Sequence, residues 1–188
     1  MPLRLRNYWK FLLKALLDNL RMETTENLIL RRPENDDFER FFEINKDPQT
    51  NLYNPSGPMN AAKAESTFKR MLEHWDQYNF GGWTIIAKEN KSIIGFGGLS
   101  YKMYGEEEKL NLGYRFAVEA WGKGYATEFT KKAIEFGFTS ISKEEIFGIV
   151  RPDNIASVKV LEKAGMTQIG MLNDVPGQPE SLVYRIQK

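Results

Sequence analysis

Cysteine does not occur in this chain of 188 residues. Its absence excludes disulfides, a thiol nucleophile and cysteine-ligated zinc sites. It also fits a reducing compartment, so a cytoplasmic location is expected. Histidine is nearly missing too, with His74 the single example. No apolar run approaches the roughly 20 residues needed to cross a bilayer. Charge of one sign is not in excess. Lys and Arg number 26 against 25 Asp and Glu, and a net charge of +1 leaves no electrostatic footprint for a nucleic acid. Repeats and low-complexity segments are absent. What remains is 41% hydrophobic and 13% aromatic, which argues against disorder. The length allows one domain with a real core.

Residues 1–21 stand apart from the rest. Arg4, Arg6, Lys10, Lys14 and Arg21 face a single acid, Asp18, while Leu5, Trp9, Leu12, Leu16 and Leu20 recur at helical spacing. Lys14 and Asp18 interrupt the apolar part and no small-residue cleavage site follows, so the segment does not match a signal peptide. It reads as a basic amphipathic extension, ending where Met22 could be the natural start. Such a helix lies on a membrane or a partner, or packs on its own domain or a second copy. Ordinary burial is the commoner meaning of amphipathicity.

From Met22 the pattern is regular. Leu28 to Arg32 predicts a strand stopped by Pro33. Asn35 or Asp36 can cap a helix to about Lys46, ended by Asp47-Pro48. Asn60 can cap a second helix to about Tyr78. Trp83 to Lys88 and Ile93 to Tyr101 form a hairpin. Gly105 to Lys109 reads as a polar turn. Leu110, Leu112, Tyr114, Phe116 and Val118 alternate as a strand. A helix follows over 126–139, then a strand at Glu145 to Val150. Ile155 to Ala164 is a helix closed by Gly165. Thr167 to Leu172 and Leu182 to Ile186 complete an antiparallel pair. This is a mixed α/β domain, with strands 110–118 and 145–150 expected as parallel neighbours across a right-handed crossover.

The segment Leu110 to Glu128, LNLGYRFAVEAWGKGYATE, carries the most chemistry. A strand runs into a glycine loop and then into the start of a helix. The first N–H groups of a helix are unpaired and the helix dipole adds positive charge there, so this arrangement can cradle a pyrophosphate. The P-loop pattern G-x-x-x-x-G-K-[ST] is absent. The G-x-G-x-x-G fingerprint finds Gly122 and Gly124, but Thr127 holds the third position. Glu144 has the right spacing for the ribose acid, yet it precedes its strand instead of ending it.

Two motifs in the same order resemble a known family. Gly113-Tyr114-Arg115-Phe116 followed by AWGKGYATE is the first. Asn154 to Met166, NIASVKVLEKAGM, is the second. Together they resemble the GNAT N-acetyltransferases, in the branch of the ribosomal-protein N-terminal (alanine/serine) acetyltransferases. The resemblance spans about residues 23–188. It implies a GNAT-like acetyltransferase domain over 22–188, with a central mixed sheet of six to seven strands flanked by about four helices, plus the helix of residues 1–21. It also implies acetyl-coenzyme A as cosubstrate, an amine acceptor (a protein N-terminus or a small amine), and no metal. The cofactor would lie between strands 110–118 and 145–150. Phe116 and Val118 would pair through their backbone with the pantetheine. Trp121, Gly122, Lys123, Gly124, Tyr125, Ala126 and Thr127 would hold the pyrophosphate. Asn154 would bond the cofactor arm, though capping the following helix is as natural. Lys123 could equally be a solvated loop residue.

The reaction implied is direct attack of a neutral amine on the thioester, for which a base and an acid are sought. Many relatives carry a Glu two residues before Gly-Tyr, where this chain has Asn111. Many also carry a Tyr where this chain has Leu161. Glu107 and Glu108 lie nearby, and Ser157 is the remaining hydroxyl near the sulfur. Glu108 and Ser157 are therefore the catalytic candidates, with cofactor contact or helix capping the other roles open to Ser157, and a base-free route in which water takes the proton of a weakly basic amine is the alternative to Glu108. His74 sits on an amphipathic helix where packing is its ordinary role. Trp75, Tyr78, Phe80 and Trp83 either line the acceptor side or belong to the core. With the usual Glu and Tyr missing, a non-catalytic acyl-coenzyme A module for sensing or assembly is the alternative reading. Oligomeric state is not encoded in any pattern found.

Overall fold

Apolar alternation builds most of the strands, and a computed structural model describing residues 22–188 gathers them into one sheet. The extension over 1–21 lies outside the described residues. The strands are β1 (Glu23–Thr24), β2 (Leu28–Arg31), β3 (Gly82–Ala87), β4 (Ile93–Tyr104), β5 (Glu107–Phe116), β6 (Glu145–Val150), β7 (Thr167–Leu172) and β8 (Ser181–Gln187). The helices are α1 (Phe38–Lys46), α2 (Ala61–Tyr78), α3 (Tyr125–Thr139) and α4 (Ile155–Lys163). The sheet order is β1-β2-β3-β4-β5-β6-β8-β7, and among the described residues only β5–β6 is parallel. That pair is joined by α3, because parallel neighbours need a crossover too long for a hairpin.

Eight strands replace the six to seven expected. The additional strand is β1, two residues pairing Glu23 with Leu30 and Thr24 with Ile29, too short for alternation to show. The expected turn over Gly105 to Lys109 shrinks to Gly105-Glu106, with Gly105 at φ +67°. Lys109 and Glu108 already pair with Lys102 and Met103 across the β4–β5 ladder. Val118, expected at the strand's end, sits in a short 3-10 turn over Val118–Ala120.

Asn60 caps α2 as expected, its side chain accepting from the Lys63 N–H at 2.9 Å. The entry to α1 differs. Neither Asn35 nor Asp36 caps it; a 3-10 turn over Asn35–Asp37 precedes it, and the buried Asp37 carboxylate organises that turn. Asp37 accepts from Arg31 at 2.7 and 2.6 Å, from the Thr84 hydroxyl at 2.7 Å and from the Glu34 N–H at 3.0 Å. Burial pushes this carboxyl's pKa up, but the Arg31, Glu34 and Thr84 donors outweigh burial and hold it below its usual range.

The main core runs under α3 and α4, with Trp83 and Phe129 fully buried and their rings meeting edge to face. A second cluster joins α1 and α2 to β4 through Phe41, Phe68 and Phe96. Strand β5 divides the two faces. Leu110, Leu112 and Phe116 enter the main core. By strand alternation Asn111, Gly113 and Arg115 take the opposite face. His74 packs against Phe80 and Tyr78, its Nδ1 donating to the Phe80 carbonyl at 2.8 Å. Trp75, Phe80 and Trp83 are core residues.

Candidate active site

The parallel ladder between β5 and β6 consists of one pair, Asn111 with Phe147. Beyond it β5 runs on to Phe116 without a partner on that side. The Ala117 N–H donates to the Ile94 carbonyl at 2.8 Å, toward β4. By alternation Tyr114 and Phe116 turn their N–H and C=O groups the other way, into the gap. The Phe116 carbonyl is taken by the Trp121 indole N–H at 3.2 Å. A cleft of about 1180 Å³ opens at this divergence.

At one end of the cleft is the start of α3. Gly124 caps it at φ +82° and Gly122 precedes it at φ +75°, both in the left-handed region that favours glycine. No side chain caps this helix. The first main-chain bonds run from Thr127 and Glu128 back to the Gly124 carbonyl, both at 3.1 Å. The N–H groups of residues 122–126 have no hydrogen-bond partner among the described residues. A Cβ built on Gly122 or Gly124 meets nothing within 4 Å, so the space in front of these donors is open. Unpaired donors, the helix dipole and free space together suit a pyrophosphate.

Most of the residues singled out by sequence meet here. Phe116, Trp121, Gly122, Gly124, Tyr125, Ala126, Thr127, Asn154 and Ser157 all line the cleft. Asn154 also caps α4, its Oδ1 accepting from the Ser157 N–H at 3.2 Å, which leaves its NH₂ available. Three candidates stand elsewhere. Val118 does not line the cleft, and its carbonyl is held by the Trp121 N–H at 3.0 Å. The exposed Lys123 ammonium turns to Glu89 at 3.4 Å. Glu108 is exposed on a separate hollow at the start of β5, beside Lys143 and Glu145.

Several cleft residues had no role assigned from sequence. The buried Tyr114 hydroxyl has no well-formed hydrogen bond. Burial pushes its pKa up, and the neighbouring Ser157 hydroxyl pulls the other way. Arg115 donates to the Thr50 carbonyl at 2.8 Å and to the Asn51 side chain. It thereby ties β5 to the segment after α1, which forms the outer wall. Asn51 and Asn54 stiffen that wall with bonds to the Asn45, Asp47 and Gly57 carbonyls, each at 2.8 Å. Asn111 accepts a 2.7 Å bond from the Tyr104 hydroxyl, and its neutral amide offers no base.

A family model described as an acetyltransferase (GNAT) domain matches residues 27–167. An uncharacterized N-acetyltransferase of Bacillus licheniformis, p20, is 31% identical over 160 residues, covering 81% of this chain and 87% of the relative. A ribosomal-protein-S5-alanine acetyltransferase from Vibrio fischeri shares the fold, with a TM-score of 0.69 at 19% identity over 88% of this chain and 96% of that one. A spermidine N-acetyltransferase from Vibrio cholerae, solved with CoA and spermine, superposes with a TM-score of 0.70 at 18% identity over 87% and 96% of the two chains. The chain therefore belongs to the GNAT acetyltransferase family, and it is an N-acetyltransferase.

Proposed function

We propose that acetyl-coenzyme A lies in the gap between β5 and β6, and that its acetyl group passes directly to a primary amine of a protein N-terminus or a small molecule. The observation that carries this reading is the unpaired strand edge at Tyr114 and Phe116 running into the open donor cradle of residues 122–126. Acetyl-coenzyme A supplies an activated thioester: the amine nitrogen bonds to the acetyl carbon, the carbon–sulfur bond breaks, and the departing thiolate requires a proton. The free N–H groups of Tyr114 and Phe116 point into the gap and polarise whatever carbonyl is seated there. Tyr114, with Phe116, takes the place that the family resemblance gave to Val118. The cradle and the α3 dipole hold the pyrophosphate, and the Asn154 NH₂ bonds the cofactor arm. Ser157 donates the proton needed at sulfur, and Tyr114 behind it stays protonated because burial raises its pKa. An amine of low pKa loses its own proton to water, since Asn111 offers no base and Glu108 stands away from the cleft. The lack of cysteine suits a cytoplasmic setting.

Ser157→Ala is expected to lower kcat by about 10- to 100-fold, in the range of a lost general acid. KM for acetyl-coenzyme A should stay within about twofold, because the main-chain bond from Ser157 to Asn154 survives. Tyr114→Phe should lower kcat by about 3- to 10-fold. Unchanged kcat in Ser157→Ala would assign the hydroxyl to structure alone. The reading as a whole is tested by thiol release from acetyl-coenzyme A across N-terminal peptides, polyamines, amino acids and aminoglycosides. Turnover with an amine is the expected result, and tight cofactor binding without turnover on any amine would overturn it.

A further inference from the structure

Asn111 and Arg115 line the cleft from the sheet face opposite the main core. On that face Lys102 and Asn111 are diagonal neighbours, because Lys102 pairs with Lys109 two residues before Asn111. Such neighbours lie about 7 Å apart. Tyr104 follows on the same side of β4. The Tyr104 hydroxyl occupies the Asn111 carbonyl oxygen. This locks the amide and turns its NH₂ toward Gly113, where a built Cβ would lie 3.5 Å from Nδ2. A fixed N–H donor thus faces the cleft beside a lysine.

The charges of the lining are uneven. Lys102, Arg115, Arg151 and Lys163 line the cleft against one carboxylate, Asp174. Asp174 is engaged by Arg151 at 3.3 Å, with both side chains largely buried. Arg115 is spent on Thr50 and Asn51. Among the described residues Lys102 makes no hydrogen bond or ion pair. It remains water-accessible, but the cleft walls crowd its ammonium and lower its pKa, with Arg151 adding to this and Asp174 opposing it. Nor does the cofactor's pyrophosphate account for it. Lys102 pairs at Lys109, seven residues along β5 from Phe116, about 23 Å at about 3.3 Å per residue.

We propose that Lys102, together with the Asn111 NH₂ beside it, binds a carboxylate carried by the acceptor amine. The acceptor is then an amino acid or a peptide with an acidic residue near its N-terminus, and a polycation such as a polyamine is disfavoured by the same charges. This rests on the cleft being the transfer site.

The test is calorimetric titration of the full chain, both free and saturated with coenzyme A. The probes are L-alanine against L-alaninamide, an Ala-Asp-Ala amide against its Ala-Asn-Ala counterpart, and spermidine. The carboxylate member of at least one pair should bind about 10-fold more tightly, the worth of one charge-assisted hydrogen bond. The pair that shows it distinguishes the free amino acid from the acidic peptide. Lys102→Ala should abolish the preference and Lys102→Glu should reverse it. Equal or absent binding within both pairs, tighter binding of spermidine, or a preference that survives Lys102→Ala would overturn the proposal. Failure of coenzyme A to bind shows separately, in its own titration, and the arms without it still decide.

Discussion

Replacing Gly124 with Asp should weaken acetyl-coenzyme A binding by about 100-fold, whereas Asn at the same place should weaken it by about 10-fold. Gly124 caps α3 at φ +82°, and nothing stands within 4 Å of where its Cβ would be. Asp and Asn tolerate that backbone better than other side chains, at about 1 kcal/mol each. The strain is therefore common to both variants, and their melting temperatures should fall together. What differs is charge. Unit charges about 4 Å apart near a protein surface interact by about 4 kcal/mol, and water and salt reduce that to the factor expected between the two variants. Titration of acetyl-coenzyme A into both proteins reads the ratio directly. If Asp and Asn weakened binding equally, no pyrophosphate would be resting on these N–H groups.

The second large effect concerns stability. Asp37→Ala should cost about 3–5 kcal/mol, the usual loss when a buried charge pair is broken from one side. In a domain of this size that lowers Tm by about 10 °C. The loss is large because one carboxylate joins three places, β2 through Arg31, β3 through Thr84 and the turn before α1 through Glu34. Asp37→Asn should lie between, keeping the shape without the charge. The pH dependence has a definite sign. A carboxyl held below its unfolded pKa stabilises fully above pH of about 4 and loses that contribution as pH falls through its lowered folded value. Thermal melts from pH 7 down to pH 2 should show a shallower acid limb in Asp37→Ala than in the wild type. Parallel acid limbs would mean that Asp37 does not titrate as placed.

Much of the fold was legible because period and punctuation agreed. Asn60, Gly165 and the α3 crossover all fall where capping and connection rules put them. What escaped has local causes. Strand β1 is two residues long, so it has no pattern of its own and exists only through Leu30 and Ile29. Glu107 and Glu108 look like a solvated turn, yet they pair in a ladder whose end is exposed. In the site, the glycine loop of residues 122–124 was readable only together with the Asn154 to Met166 motif, because two glycines alone often merely turn the chain. The opposite wall of the cleft was not. Lys102, Arg115, Asp174 and the Thr50 segment come from separate parts of the chain, and the β4–β5 register, the tie from Arg115 to Thr50 and the Arg151–Asp174 ion pair bring them to one cleft.

The location of the cofactor is tested most directly by amide hydrogen exchange with and without coenzyme A. The amides of Tyr114, Phe116 and residues 122–126 are free donors among the described residues, and all of these residues but Lys123 line the cleft. Coenzyme A should slow exchange at these positions and leave Lys109 and the Glu106 turn unchanged. Protection that spared residues 122–126, or that concentrated at the Glu108 hollow instead, would contradict a cofactor lying between β5 and β6 with its pyrophosphate on α3.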